Sequence, residues 1–364
     1  VELFLDTNAH LPLSRKAGNA LVDFCTRNGA QFGHPSAISR PGRDAMGALE
    51  GAREDILETL NGSGLLIFTD SCTQACEWAA KIISRFGSVG LSDSEHPSMA
   101  SSIRSYAPSV CDLQTKGGAI VPPEPPCHPS GIACIRVHNE TGIINDLSGF
   151  GSDPVLLSDV SQAVGKIPVD LDGLGVDMAV FGGHKFGGPH MGALYLADED
   201  LWEEFGTGSR YGLDRPGTPD VGGAVVLAAA LKEAVGSLEC RSEKMREFQF
   251  ILERGLAEDG LEVLCGDADR APSTTFFYLP DAAGALLELS QRGMHVGLGA
   301  ACGSLHKDAS PYMESLGFEG TPASDFMRIS QFGDYGEVEA NHFLNIFREV
   351  RKQLEDEETD QGCV

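Results

Sequence analysis

Val180-Phe181-Gly182-Gly183-His184-Lys185-Phe186-Gly187-Gly188-Pro189 sets one lysine between an apolar, β-branched run and a glycine-rich turn. An amine held there, with an imidazole beside it and close backbone access through glycine, suits Schiff-base chemistry. Desolvation disfavours the ammonium form, so such a lysine can act as a nucleophile near neutral pH. The same ten residues also read as a surface loop that carries Lys185, and the rest of the chain has to separate the two.

Three other places hold residues that a reactive amine would need. Ser71-Cys72-Thr73 lies between a strand-like and a helix-like segment, where free N–H groups and hydroxyls make an anion site suited to a phosphate. Glu95-His96 follows an apolar segment; the imidazole can stack on an aromatic cofactor or serve as an ordinary loop residue. Asp159, with Gln162 three residues on, follows a strand end, where a carboxylate can hold a protonated ring nitrogen. Phosphate anchor, ring stacker, pyridinium partner and Schiff-base lysine together meet the needs of pyridoxal 5'-phosphate, whose orientation and protonation a protein must fix.

These residues need a scaffold, and apolar runs supply one. Leu65-Leu66-Ile67-Phe68-Thr69, Ile132-Ala133-Cys134-Ile135-Arg136-Val137, Val155-Leu156-Leu157-Ser158-Asp159, Met178-Ala179-Val180-Phe181 and Ala193-Leu194-Tyr195-Leu196 read as buried strands. A helical pattern covers 73–86. Such runs separated by helices predict an α/β fold with a mostly parallel sheet covered on both faces. Further on, one long helical stretch over 223–258 reads as a connector. A strand over 273–279, a helix over 282–292, a cysteine-bearing loop over 295–310, a strand over 326–330 and a helix over 337–355 follow, ending in a frayed acidic tail. That change of texture predicts a large domain over 12–238 and a smaller α+β domain from 1–11 and 239–364.

The chain has 364 residues, a formal charge of −26 and 42% hydrophobic residues. A field of that sign repels phosphate backbones and anionic lipid, so neither nucleic acid nor a membrane surface is expected as a partner. The longest apolar run, 224–231, is too short to span a bilayer. The first eight residues include Glu2 and Asp6 and do not read as a signal peptide. A cytoplasmic setting is expected, with most of the ten cysteines reduced and acting as small buried hydrophobes. No pair has C-x-x-C spacing, so no metal site is expected.

The chain resembles the class V aminotransferase-fold enzymes, and among them the NifS/IscS-like cysteine desulfurases. The segments that carry this are Leu5-Asp6-Thr7-Asn8-Ala9, Pro35-Ser36-Ala37-Ile38, Pro41-Gly42-Arg43, Glu95-His96 and Val137-His138-Asn139-Glu140-Thr141-Gly142. They continue with Asp159-Val160-Ser161-Gln162-Ala163-Val164-Gly165-Lys166, Gly183-His184-Lys185, Arg215-Pro216-Gly217-Thr218, Ala301-Cys302 and Met327-Arg328-Ile329-Ser330. The resemblance covers nearly the whole chain and implies fold type I of the pyridoxal-phosphate enzymes, with a seven-stranded sheet in the large domain.

It also implies roles. Lys185 would carry the cofactor and serve as general base, Asp159 would pair with the pyridine nitrogen, and His96 would stack on the ring. Asn139 and Gln162 would bond the phenolic oxygen. Thr73 and His184 would bind the phosphate with Cys72 in the same cup, joined by Thr218 from the other subunit of a homodimer. Arg328 would clamp the substrate carboxylate, as a bidentate guanidinium can, with Asn8 beside it. Cys302, in the small-residue loop Gly297-Leu298-Gly299-Ala300-Ala301-Cys302-Gly303-Ser304, would take sulfur from L-cysteine as a persulfide, leaving L-alanine. By itself Cys302 also reads as one more buried thiol. An acceptor protein for that sulfur, as in iron–sulfur metabolism, follows from the same resemblance. A related lyase acting on cysteine, cystine or selenocysteine, and a non-catalytic scaffold, stand as alternatives. The chain departs from the family pattern at His10-Leu11, where Thr-Thr is usual. Gly182 stands for serine, His34 for asparagine, and Leu-Gly-Ala-Ala-Cys for Ser-Gly-Ser-Ala-Cys. The segment before Arg215 is shortened.

Overall fold

A computed structural model describes residues 2–26, 33–205, 217–299 and 311–361. Seven strands form the larger sheet, in the spatial order β2 (Leu65–Thr69), β10 (Gly192–Leu196), β9 (Met178–Gly182), β8 (Val155–Asp159), β7 (Gly131–Ala133), β3 (Val89–Ser92) and β4 (Val110–Leu113). Only β10 runs against the others, with Gly192 opposite both Gly182 and Thr69. Every residue of β9 and β10 is buried, because helices cover both faces of the sheet. A four-stranded sheet has the order β1 (Leu3–Leu5), β12 (Met294–Leu298), β13 (Phe326–Ser330) and β11 (Thr274–Tyr278), and β5 (Thr115–Lys116) pairs with β6 (Ala119–Ile120). The N-terminal strand therefore joins a sheet built otherwise from the C-terminal third.

Around the large sheet lie α1 (Arg15–Thr26), α2 (Arg40–Thr59), α3 (Cys72–Ile83), α4 (Pro97–Tyr106), α5 (Asp200–Phe205) and α6 (Val221–Gly236). α7 (Leu238–Glu258), α8 (Ala282–Gln291), α9 (Pro311–Ser315) and α10 (Glu337–Gln361) belong with the smaller sheet. Alanine-rich α3 buries Ala75, Cys76, Ala79 and Ala80, and these small side chains let it lie close over β9 and β10. A second core joins Leu3, Leu5, Phe248, Leu252, Phe277, Met327, Phe343 and Phe347 across α7, α10 and the four-stranded sheet.

Several elements differ from the sequence expectation. The long connector helix is two helices, α6 and α7, meeting at 65°. The break falls at Gly236-Ser237, where the Ser237 hydroxyl bonds the Glu233 carbonyl and caps α6. The strand expected over 132–137 stops at Ala133; beyond it the Ile135 N–H donates to the buried Glu95 carboxylate. The last helix continues through Gln361, where a frayed tail was expected. Residues 300–310 of the cysteine loop lie outside the described residues, and His295 belongs to β12. Cys111 and Cys127 are paired as a disulfide. Of six free cysteines among the described residues only Cys76 and Cys134 are buried; Cys72 and Cys265 are half-buried and Cys25 and Cys240 exposed, so burial is not their common role. Among the described residues no single helix is long and apolar enough to cross a membrane.

Phe347 is fully buried, edge-on to Phe277 at 5.9 Å and stacked with Phe343 at 5.7 Å. Truncating it leaves a ring-sized cavity between α10 and β11. Phe347→Ala should cost about 3–5 kcal/mol, read as a lower denaturation midpoint; a loss below about 1 kcal/mol would show that this core is not under tension to stay packed.

Candidate active site

Parallel strands end along one edge of the large sheet, and the candidate residues leave from those ends. Asp159 closes β8, Lys185 follows β9, Ser71 and Cys72 follow β2, Glu95 and His96 follow β3, and Asn139 lies downstream of β7. This is the crevice at the carboxyl ends of strands where open α/β sheets take ligands.

The N-terminus of α3 opens into it. Ser71 caps the helix, its hydroxyl accepting from the Gln74 N–H at 3.2 Å, while Thr73 is exposed on the first turn. Glycines floor this end. A Cβ on Gly192 would lie 2.5 Å from the Cys72 nitrogen, and one on Gly182 would lie 3.0 Å from the Cys72 Cβ and 3.1 Å from His184 Cε1. Gly182 and Cys72 thus trade volume: the serine expected at 182 would crowd the sulfur-bearing side chain at 72. His184 points a buried Nδ1 here with no hydrogen-bond partner. Burial, then the charges of Lys185, His190 and His10, push the His184 pKa down to about 3. The rings of His10, His184 and His190 lie near-parallel in a triangle, with ring centroids 5.1 Å (His10–His190), 5.2 Å (His184–His190) and 6.0 Å (His10–His184) apart. The residue that replaces the expected threonine at 10 therefore builds an aromatic wall beside the lysine turn.

Asp159 is buried, and its Oδ1 accepts from the Ser161 N–H at 2.9 Å. His96 caps α4, with Nδ1 accepting from the Ser98 N–H at 3.2 Å. Burial lowers the His96 pKa, Asp159 opposes that, and Lys185 adds to it, so all three charges share one space. Behind His96, Glu95 is buried and pushed up to about 8, first by burial and then by Asp159, despite the bond from Ile135 N. Its Oε2 has no partner. Glu95 is therefore largely protonated at neutral pH, a carboxyl kept neutral behind a functional loop.

Lys185 is half-buried, and its Nζ donates to the carbonyls of Asn8 at 2.8 Å and Ala9 at 2.9 Å. Asn8 is a junction. Its carbonyl also accepts from Gln162 Nε2 at 2.9 Å, its Nδ2 donates to Asn139 O and Thr274 Oγ1, and its Oδ1 accepts from Lys166 Nζ at 2.7 Å. Both ends of the Asn8 side chain are thus held by protein, and the residue braces the two sheets against each other. Lys166, only 1% exposed, also donates to Gln162 Oε1. Burial, with Lys185 and Arg328 nearby, holds the Lys166 pKa well below the usual ammonium range. Arg328 on β13 is buried; it donates to Asp6 Oδ1 at 2.7 Å and to Asn139 O at 3.1 Å, and its Nε has no hydrogen-bond partner.

The structure thus brings together Lys185, Asp159, His96, His184, Cys72, Gln162, Asn8, Asn139 and Arg328. Thr218 is exposed just before α6. Cys302 lies outside the described residues. Lys166 and Glu95 had no role assigned from sequence. A lysine or glutamate beside a motif residue signals a partner only when its neighbours are buried, and burial is not written in the spacing.

A sequence model of the aminotransferase class-V family matches residues 129–340. A protein named cysteine desulfurase IscS from Photorhabdus laumondii is 27% identical over 359 residues, covering 90% of this chain and 87% of the relative. Among solved structures, a NifS-like protein from Rickettsia africae superposes with a TM-score of 0.82 at 20% identity, covering 97% of this chain and 100% of that one. A structure titled SspA in complex with cysteine gives a TM-score of 0.74 at 22% identity, covering 93% of this chain and 100% of that one. These likenesses carry the type I fold of the NifS-like proteins, and with the family match over more than half of its length the chain belongs to the aminotransferase class-V family.

Proposed function

We propose that the protein is a pyridoxal-phosphate-dependent cysteine desulfurase, acting as a homodimer on L-cysteine and passing the sulfur to an acceptor protein. The observation that carries this reading is the meeting of Lys185, Asp159 and His96 at strand ends beside a helix N-terminus, where the buried His184 Nδ1 lacks a partner. The residues fit the cofactor. Unpaired N–H groups on α3, the Thr73 hydroxyl and His184 supply donors for a phosphate, and the bare Cα atoms of Gly182 and Gly192 leave room for it. Asp159 supplies the carboxylate that keeps a ring nitrogen protonated, and His96 the flat face for stacking. When bound, pyridoxal phosphate supplies an electron sink for bonds at the substrate α-carbon.

The chain's own residues then divide the work. Lys166 holds Gln162 by its oxygen, which turns the amide NH2 toward Asn8 and leaves its second hydrogen for a phenolic oxygen, together with Asn139. Lys185 moves the substrate α-proton at Nζ, which its two carbonyl partners orient. Arg328 receives the substrate carboxylate through its unpartnered Nε. Cys302 attacks the substrate sulfur as thiolate: an S–S bond forms, the Cβ–S bond breaks, and the carbon takes a proton to give alanine. Thr218, exposed on its own chain, is assigned to the partner's phosphate. Relatives named cysteine desulfurase and the cysteine complex among the fold neighbours support this reading.

Cys302→Ser should lower alanine release from L-cysteine by at least about a hundredfold, or about 2.7 kcal/mol, with the cofactor's absorption unchanged. Undiminished turnover, with pyruvate and ammonia as products, would overturn the persulfide step in favour of a lyase. Lys166→Met should weaken pyridoxal-phosphate binding by about tenfold and shift the visible maximum of the bound cofactor, since one well-formed hydrogen bond is worth about 1.4 kcal/mol. An unshifted spectrum would make Lys166 purely structural.

Glu95 gives a pH test. It binds its proton more tightly in the folded than in the unfolded chain. Its contribution to stability is therefore complete below the ordinary carboxylate range and is lost as pH rises through about 8. Glu95→Gln keeps an acceptor for Ile135 and should flatten that slope, gaining on the parent by up to about 1.4 kcal/mol per pH unit over the window. Parallel pH profiles would refute it.

A further inference from the structure

Cys72 and Cys76 lie one turn apart on α3, so both point to one face of the helix. That face meets the end of β8. The two Sγ atoms and a carboxylate oxygen of Asp159 all lie within 4.8 Å of one another, the only such group of three among the described residues. Cys76 and Asp159 are buried and Cys72 is half-buried. Each thiol also has a hydroxyl beside it: Ser161 Oγ lies 3.3 Å from Cys72 Sγ, and Ser98 Oγ donates to Cys76 Sγ at 3.6 Å. These are outer partners of the kind that orient metal ligands. Cofactor chemistry asks for Asp159 and for Cys72 as a wall of the phosphate cup, but it needs no thiol at either position.

Two soft sulfurs and one carboxylate in a small space match borderline and soft divalent cations such as Zn²⁺ or Cd²⁺, and mismatch the oxygen-seeking Mg²⁺ and Ca²⁺. We propose that the cofactor-free chain binds one thiophilic divalent cation through Cys72, Cys76 and Asp159, and that this cation and pyridoxal phosphate exclude one another. Binding follows from the three side chains alone. The exclusion rests on the assignment of Asp159 to the cofactor's ring nitrogen, because one carboxylate cannot serve both. Water or an anion can supply the fourth ligand of a tetrahedron. Such a site would let a thiophilic metal hold the protein in a form that cannot take up its cofactor.

The test uses the full chain, reduced and freed of cofactor and metal, titrated with Cd²⁺ and followed by thiolate-to-metal charge-transfer absorption. One equivalent should bind. Cys76→Ser and Asp159→Asn should each weaken binding by more than the roughly tenfold that loss of an outer partner costs. Cys72→Ser, at the half-buried position, repeats the test should Cys76→Ser fail to fold. Protein preloaded with pyridoxal phosphate should give no such absorption, and Mg²⁺ in excess should not compete. An equal signal from Cys72→Ser/Cys76→Ser would place the metal on thiols elsewhere and overturn the proposal, as would no uptake by the parent chain. Binding that survives cofactor loading would overturn the exclusion alone. A chain that takes the metal but never takes the cofactor would sink the enzyme assignment and leave the metal site standing.

Discussion

The Asn8 carbonyl and side chain form the joint on which the rest of the site depends. Asn8 follows β1, a strand of the smaller sheet, yet its bonds reach Lys185, Gln162 and Lys166 of the larger one and Thr274 of β11. Three basic side chains, Lys185, Lys166 and Arg328, gather around it with limited access to water. Lys166 and Arg328 are buried outright, and burying unpaired charge is expensive. The chain meets that cost with backbone carbonyls, one amide, Asp6 and a lowered Lys166 pKa. Loss of one member would leave others without partners, so the network behaves as a unit.

Much of this was legible before any coordinates. Buried parallel strands betray themselves as unbroken apolar runs, and function gathers where they end; Asp159 and Lys185 were readable for that reason. The strand at β7 was overread because apolar residues continue past Ala133 while the hydrogen bonds do not. Ile135 turns instead to a carboxylate forty residues upstream, and no local pattern announces that. The helix break at Ser237 was missed because α6 and α7 both carry helix-forming residues and the bend needs only one serine cap. The Cys72, Cys76 and Asp159 cluster escaped the usual spacing test because its third member comes from a distant strand, β8, and because its two sulfurs are one helical turn apart on α3 instead of in a C-x-x-C turn.

Departures from the family pattern become intelligible in pairs. Gly182 stands where the family pattern has serine, and the Cβ it lacks would crowd Cys72. A small residue on β9 and a larger one on α3 keep the cradle at constant volume, as close-packed interiors require. His10 likewise makes sense beside His184 and His190, since three flat rings can pack where hydroxyls would leave gaps.

The buried guanidinium also bears on how quickly anything reaches it. With a net charge of −26, the molecule as a whole repels anions, while the Arg328 guanidinium attracts them over a short range inside the crevice. A doubly charged phosphate ester therefore approaches against a barrier and is captured only within roughly one Debye length, about 8 Å at physiological ionic strength. Salt shortens the outer repulsion more than the sheltered inner attraction. Association of such a ligand with this protein should therefore speed up as ionic strength rises, the reverse of what charge steering ordinarily gives.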